Sequence, residues 1–178
     1  SRPLMVEIQA LATPTNAPVP RRTANGIDFN RLTLICAVLT KHLGVSLASQ
    51  DMIVNVTGGL RVAEPAADLA VAAAIVSSLW EVALLPGLAM VGEIGLTGEL
   101  RSVSKLERRL AEAATMGFQR CLVPEGTREG YQIHGLEVLP AASLKSALKL
   151  AMPESFLRTS GHHGSLGPSY ANQHRQAP

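Results

Sequence analysis

The residues of this chain best suited to chemistry are its cations, and they fall in two stretches. Residues 1–62 hold Arg2, Arg21, Arg22, Arg31, Lys41 and Arg61 against Glu7, Asp28 and Asp51, a local charge of +3. Residues 101–109 add Arg101, Lys105, Arg108 and Arg109 against Glu107 alone. A guanidinium carries a fixed fork of donors that matches phosphate oxygens, and each phosphate it neutralises releases counterions. The chemistry implied is salt-dependent, sequence-independent contact with a nucleic-acid backbone. The same arginines would also suit a solvated surface or ion pairs between subunits. Sixteen Lys and Arg against fourteen Asp and Glu leave only +2 overall, so an anion site must be a local patch. Aromatic residues make up 3%, and the single Trp80 sits in an apolar run, so duplex phosphates fit better than stacked single-strand bases.

Other reactive types are sparse. Gly92, Gly95 and Gly98 recur at three-residue spacing with Glu93 and Glu99 around them. Hairpin geometry explains the glycines better than a ligand loop does. The two acids read as strand-edge charges rather than a catalytic pair, since nothing near them in sequence would raise a carboxyl pKa. No GxxxxGK[ST] phosphate loop, GxSxG elbow, HExxH or CxxC occurs. Cys36 and Cys121 lie in apolar stretches and are expected as buried free thiols of a reducing compartment. His162, His163 and His174 are spread along a Gly-rich stretch, and no metal site is expected there.

The positioning elements follow from periodicity and punctuation. With 178 residues, 47% hydrophobic and 17% charged against about 25% in an average soluble protein, the chain fits one domain with an aliphatic core. Residues 4–12 read as a strand, 19–24 as a second extended segment, and 28–43 as a helix capped by Asp28 and ended by Gly44. Residues 52–57 alternate as a strand that resumes at 60–62 after Gly58 and Gly59. Pro65 opens a helix through Leu79 that is apolar on nearly every face. Residues 88–94 and 99–103 suggest a hairpin, and Ser104 with Glu107 suggests a capping box for the next helix, ended by Gly117. A buried strand at 120–123, a strand at 136–139 and a helix over 141–152 complete an α/β (α+β mixed) sandwich spanning 1–152. Residues 153–178 turn to Gly, Ser, His, Asn, Gln and Pro and are expected to be a disordered tail. No uncharged run reaches the ~18 residues of a membrane span. The opening Ser1, with a strand only three residues in, reads as a piece of a longer protein.

The run VGEIGLTGELRSVSKLERRLAEAATMGFQRCLVP resembles the peptidase domain of Lon proteases. The blocks RPLMVEIQAL, PRRTANGIDFNRL, DMIVNVTGGLRV, AADLAVAAAIVSSL and GEIGLTGELRSV, in that order over residues 2 to about 152, are similar to the Lon-like domain that ends the bacterial RadA (Sms) family of DNA recombination and repair proteins. The resemblance implies a Lon peptidase-like fold with a mixed sheet and packed helices. Lon enzymes use a Ser nucleophile activated by a desolvated Lys. The matching positions are Ala66 and Glu107, and a Thr found before the Gly-Glu-Ile block in many Lon enzymes is replaced by Val91. Lys105 lies two residues before Glu107, and Ser77, Ser78, Ser102 and Ser104 are the hydroxyls left to stand in for a nucleophile. No catalytic residue is therefore expected in this chain.

The same resemblance implies a parent protein that is a DNA-dependent ATPase migrating branched DNA, with ATP, Mg and zinc held by domains outside this chain and no cofactor within it. It implies a hexameric ring and duplex or branched DNA as partner, with Arg21, Arg22, Arg31, Arg61 and Arg101 as phosphate contacts. It implies bacterial cytoplasm, or a mitochondrion or chloroplast for a eukaryotic source. An atypical Ser-Lys peptidase and a pure oligomerisation scaffold are the alternative readings.

Overall fold

The structure is a computed structural model, and it describes residues 2–126 and 131–153. The expected tail lies outside the described residues from position 154 onward, and His162, His163 and His174 lie outside with it.

Alternating apolar residues build the first sheet from β1 (Ile8–Pro14), β2 (Arg22–Asn25) and β3 (Gln50–Val56), in the order β1-β3-β2. β1 runs antiparallel to β3 with Ile8 opposite Val56, and β2 runs parallel to β3 with Arg22 opposite Met52. Met52, Val54 and Val56 enter the core while Ile53 faces outward, the period of two of a half-buried strand. Between β2 and β3 lies α1 (Phe29–Leu43). Its start is set by Asp28, whose carboxylate accepts the Arg31 backbone N–H at 2.9 Å, and its end by Gly44 in the left-handed conformation.

A short 3-10 turn at Pro65–Ala67 leads into α2 (Asp68–Trp80). Seven of its thirteen residues are buried, because it is packed between β1, α1 and the helix at Leu144–Ala151. Fully burying a side chain such as Leu69 or Ile75 contributes about 1.5–3 kcal/mol, so this helix is held by packing rather than by propensity.

The expected 88–94/99–103 hairpin is divided between two sheets. β4 (Leu88–Met90) joins β7 (Arg120–Pro124) and β8 (Glu137–Ala141) in a parallel sheet of order β4-β7-β8, and only β5 (Glu93–Ile94) pairs with β6 (Leu100–Arg101). The division falls at Gly92. Its N–H donates to the Ala66 carbonyl at 2.9 Å and its carbonyl accepts from Leu69 N–H at 3.1 Å, so the first turn of α2 captures the chain as it leaves β4. The expected strand at 60–62 is likewise reduced to one bridge, Val62 beside Ile27, because Thr57–Gly59 folds into a 3-10 turn.

α3 (Leu106–Thr115) covers the second sheet, and α4 (Leu144–Ala151) begins at a capping box formed by Ser143 and Ser146. Ser104 does not cap α3. Lys105 occupies the N-cap with φ +55° and no side-chain cap, because burial of Leu106 and Leu110 sets the helix phase and the chain must turn sharply just before it. A second core cluster under α3 gathers Ala66, Ala89, Val91, Leu110, Cys121 and Val123. Cys36 and Cys121 are free and buried as expected, and burial pushes the Cys121 thiol up to about 12, which keeps it protonated and unreactive at neutral pH.

Candidate functional site

A cavity of about 410 Å³ opens between β4, the first turn of α2, α3 and the extended residues 2–8. Small apolar groups line its floor, among them Ala66, Ala70, Ala89, Val91 and Ala113. Arg2, Arg61, Glu64, Ser104, Lys105 and Arg109 stand around it. Two of those cations are paired. Arg109 bonds the Glu64 carboxylate and donates through Nε to the Ser104 carbonyl at 2.9 Å, tying the start of α3 to segment 60–64. Arg2 grips Glu112 through two bonds of 3.0 and 2.9 Å. Arg61 and Lys105 form no ion pair or side-chain hydrogen bond among the described residues, so this face carries uncompensated positive charge.

The places matched to a peptidase site are distributed unevenly around this cavity. Ala66 and Val91 line it, each 7% exposed, and contribute only methyl groups. Glu107 is exposed on α3 and is not among the lining residues, whereas Lys105, two residues earlier, is. Ser104 also lines the cavity and forms no side-chain bond to Lys105. Ser77 and Ser78 are spent at the far end of α2. Ser77 Oγ donates to the Val82 carbonyl at 2.6 Å, and Ser78 Oγ accepts the Ala12 N–H at 3.0 Å. Ser102 is exposed outside the cavity.

The five arginines singled out in the sequence are separated by the fold. Arg21 is exposed, with its backbone N–H donating to Asp51 at 2.7 Å and its guanidinium unpaired among the described residues. Arg22 is turned inward, where its guanidinium holds the carbonyls of Gln50 and Leu47, the latter at 2.7 Å. Arg21 precedes β2, while Arg61 immediately precedes Val62, which bridges Ile27 beyond the other end of that strand, so the two lie toward its opposite ends. Arg101 is 57% exposed and pairs with Glu99 at 2.9 Å.

Arg31 has a partner that sequence reasoning did not find. Its guanidinium forms a two-pronged bond with Asp68, with Nε to Oδ1 at 2.8 Å, and reaches the Ile94 carbonyl at 3.3 Å. Asp68 is 2% exposed and also accepts the Ile94 N–H at 3.0 Å. α1, α2 and β5 therefore meet on one buried carboxylate, which a neighbouring cavity of about 220 Å³ flanks. The available signal was Asp68 itself, the only charged residue in thirteen positions of helix.

Glu93 and Glu99 do not form a carboxylate pair. Glu93 lies 3.8 Å from Arg31, while Glu99 folds back onto the turn, bonding the Thr97 hydroxyl and accepting the Thr97 N–H at 3.1 Å. The Thr97 bonds, with Arg101, hold the exposed Glu99 carboxyl down at about 2. A Cβ at Gly95 would stand 1.8 Å from Glu99 Oε1, and Gly98 takes φ +80°, so the glycine spacing serves this turn. Among the described residues no group of His, Cys, Asp and Glu could hold a metal ion, and no helix is long and apolar enough to cross a membrane.

Comparison with known proteins gives a consistent set of relatives. The DNA repair protein RadA of Synechocystis is 44% identical over 165 residues, 93% of this chain and 32% of the relative. The RadA of Bacillus subtilis is 44% identical over 153 residues, covering 85% of this chain and 33% of its own length. A Streptococcus pyogenes RadA is 46% identical over 150 residues, 84% and 33% of the two chains. The chain thus spans about a third of the length of these relatives. A family profile matches residues 31–127, more than half of the chain, from the first turn of α1 past the end of β7. By that match the chain belongs to the family described as subunit ChlI of Mg-chelatase, and the relatives it is similar to over most of its length are DNA repair proteins.

Proposed function

We infer that this chain is the Lon-like domain of a RadA-type DNA repair and recombination protein, and that it contacts duplex or branched DNA without peptidase chemistry. One observation carries the reading. The cavity presents the methyl of Ala66, the position matched to the Lon nucleophile by resemblance, and Arg61 and Lys105, unpaired among the described residues, stand around it. Phosphate contact is assigned to Arg21, Arg61 and Arg101, the three of the five singled-out arginines with exposed side chains. Arg22 and Arg31 act through the fold, positioning β3 and α2. Each exposed arginine that meets a phosphate adds counterion release, so affinity is sequence-independent and falls with salt. Similarity at 44% to proteins named RadA supports this over a metal-chelatase role.

In the parent protein this domain belongs to an ATP-driven, ring-shaped hexamer that migrates branched DNA in the bacterial cytoplasm. ATP, Mg and zinc are assigned to its other domains. The test is a salt titration of duplex binding by the chain and by its Arg21→Ala/Arg61→Ala/Arg101→Ala variant. Affinity is expected to fall for the variant, with a salt slope shallower by about one for each phosphate that is no longer neutralised. Binding and slope that match the unsubstituted chain would reject the interface. Labelling of the unsubstituted chain by a serine-directed fluorophosphonate would favour the peptidase alternative.

A further inference from the structure

We propose that copies of this chain join head to tail, with the Leu96 side chain of one copy seated in the cavity of about 220 Å³ beside the Arg31–Asp68 joint of the next. Leu96 is 70% exposed at the tip of the turn between β5 and β6. Its backbone is held from several sides. Gly98 N–H donates to the Gly95 carbonyl at 3.0 Å, and Gly95 N–H to the Glu99 carbonyl at 2.9 Å. At the end of α1, His42 Nε2–H donates to the Leu96 carbonyl at 2.9 Å, since a carbonyl only accepts. A side chain presented on backbone that is already ordered loses little freedom when a partner buries it.

The 220 Å³ cavity is the matching hole. Ile27, Ile35, Val62, Ala67 and Val71 give it an apolar lining, and Phe29, 53% exposed, begins the helix at its side. It is smaller than the range of about 300–1,000 Å³ usual for ligand sites and suits a single aliphatic side chain. Charge complementarity selects a second copy as the occupant. Asp28 lines the cavity and accepts the Arg31 backbone N–H, but it forms no ion pair among the described residues. Arg31 is itself shared between Asp68 and Glu93. Lys41, next to His42 in the last turn of α1, is exposed and forms no ion pair or side-chain hydrogen bond among the described residues. One chain thus carries an apolar knob beside a free cation and an apolar hole beside a free carboxylate. They lie toward opposite ends of α1, a helix of fifteen residues and about 22 Å at 1.5 Å per residue. Each copy therefore gives its knob to one neighbour and its hole to another, and such a series closes into a ring or runs on as a filament. The closed form supplies an interface for the ring of the proposed function and in that respect rests on that reading.

The experiment is disulfide trapping in the full 178-residue chain, whose own Cys36 and Cys121 are buried. Leu96→Cys and Ala63→Cys, the latter at an exposed position of the cavity lining, are made in separate chains, mixed and oxidised with copper phenanthroline. The mixture is expected to give a crosslinked dimer, with about tenfold less from either variant by itself. A chain that carries both substitutions is expected to give a ladder of larger species. Equal trapping by one variant alone would overturn the head-to-tail contact. So would a mixture trapped no better than Leu96→Cys with Met116→Cys, an exposed position on the far side of the second sheet's helix. Sedimentation of the chain without added cysteines separates this contact from the ring. Leu96→Glu is expected to weaken self-association by about tenfold or more, because a carboxylate cannot enter an apolar hole unpaired. Asp28→Asn keeps the helix cap and removes the charge, and is expected to weaken it about threefold. Oligomers that survive Leu96→Glu unchanged would overturn the contact and leave the ring standing. A chain that stays monomeric and gives no trapped dimer would overturn the contact as well, with any ring then held by other parts of the parent protein.

Discussion

Segment 62–64 separates two charged regions made from the same residue types. On one side Arg31 meets Asp68, a carboxylate 2% exposed, and its Nε and Nη2 are engaged by that partner and by the Ile94 carbonyl. On the other side Arg61 and Lys105 find no carboxylate among the described residues, since Glu64 is held by Arg109 and Glu112 by Arg2. The first region is a joint between three elements. The second has charge left over and a cavity beside it. A cation's role in this fold is thus decided by whether inward-lying acceptors, a carboxylate for Arg31 and backbone carbonyls for Arg22, have already engaged it.

The joint can be broken from the cation side. Arg31→Leu removes the partner of a buried carboxylate that also organises the Ile94 backbone, and unfolding free energy should drop by about 3–5 kcal/mol in urea denaturation. Arg61→Ala, at the open region, should stay within about 0.5 kcal/mol of the unsubstituted chain. Similar losses for the two would erase the distinction.

A smaller effect of opposite sign is expected at Lys105. Glycine relieves the φ of +55° but loses more chain entropy, so Lys105→Gly should stabilise by under about 1 kcal/mol in the same assay. Destabilisation would mean that the Lys105 side chain supports the wall of the cavity.

The smallest effect concerns Glu99, where an acid and a cation pair at the surface rather than in a joint. Its carboxyl is held at about 2, below its ordinary 4.5. The stabilisation this reports is complete above about pH 4.5 and is lost as the pH falls toward 2. Glu99→Gln should therefore flatten the fall of the thermal midpoint over that interval and leave the fall elsewhere unchanged. An identical acid profile for both proteins would remove Glu99 from the account.

Much of the architecture is legible in the sequence because local signals and packing agree. Asp28 and Gly44 bound α1 in the sequence and in the structure, and the largely apolar run after Pro65 becomes the buried α2. The expected hairpin at 88–103 fails because its alternation is shared by strands of two different sheets, and only the capture of Gly92 by Ala66 and Leu69 tells them apart. The Ser104 capping box fails for a related reason, since the spacing is right but burial of Leu106 sets the helix phase. At the candidate site, Ala66 and Val91 line one cavity, whereas at the start of α3 it is Lys105 rather than Glu107 that lines it.

The sequence by itself determined the aliphatic core, the order of strands and helices, the free thiols and the absence of a hydroxyl at Ala66. These follow from composition, periodicity and residue type, which act locally. Only the tertiary structure decided which arginines are free, since Arg22 and Arg31 look no different from Arg21 and Arg61 along the chain. Their fates depend on Leu47, Gln50 and Asp68, residues 25–37 positions away. Pairing at that range, with a carboxylate for Arg31 and with carbonyls for Arg22, is a property of the packed chain.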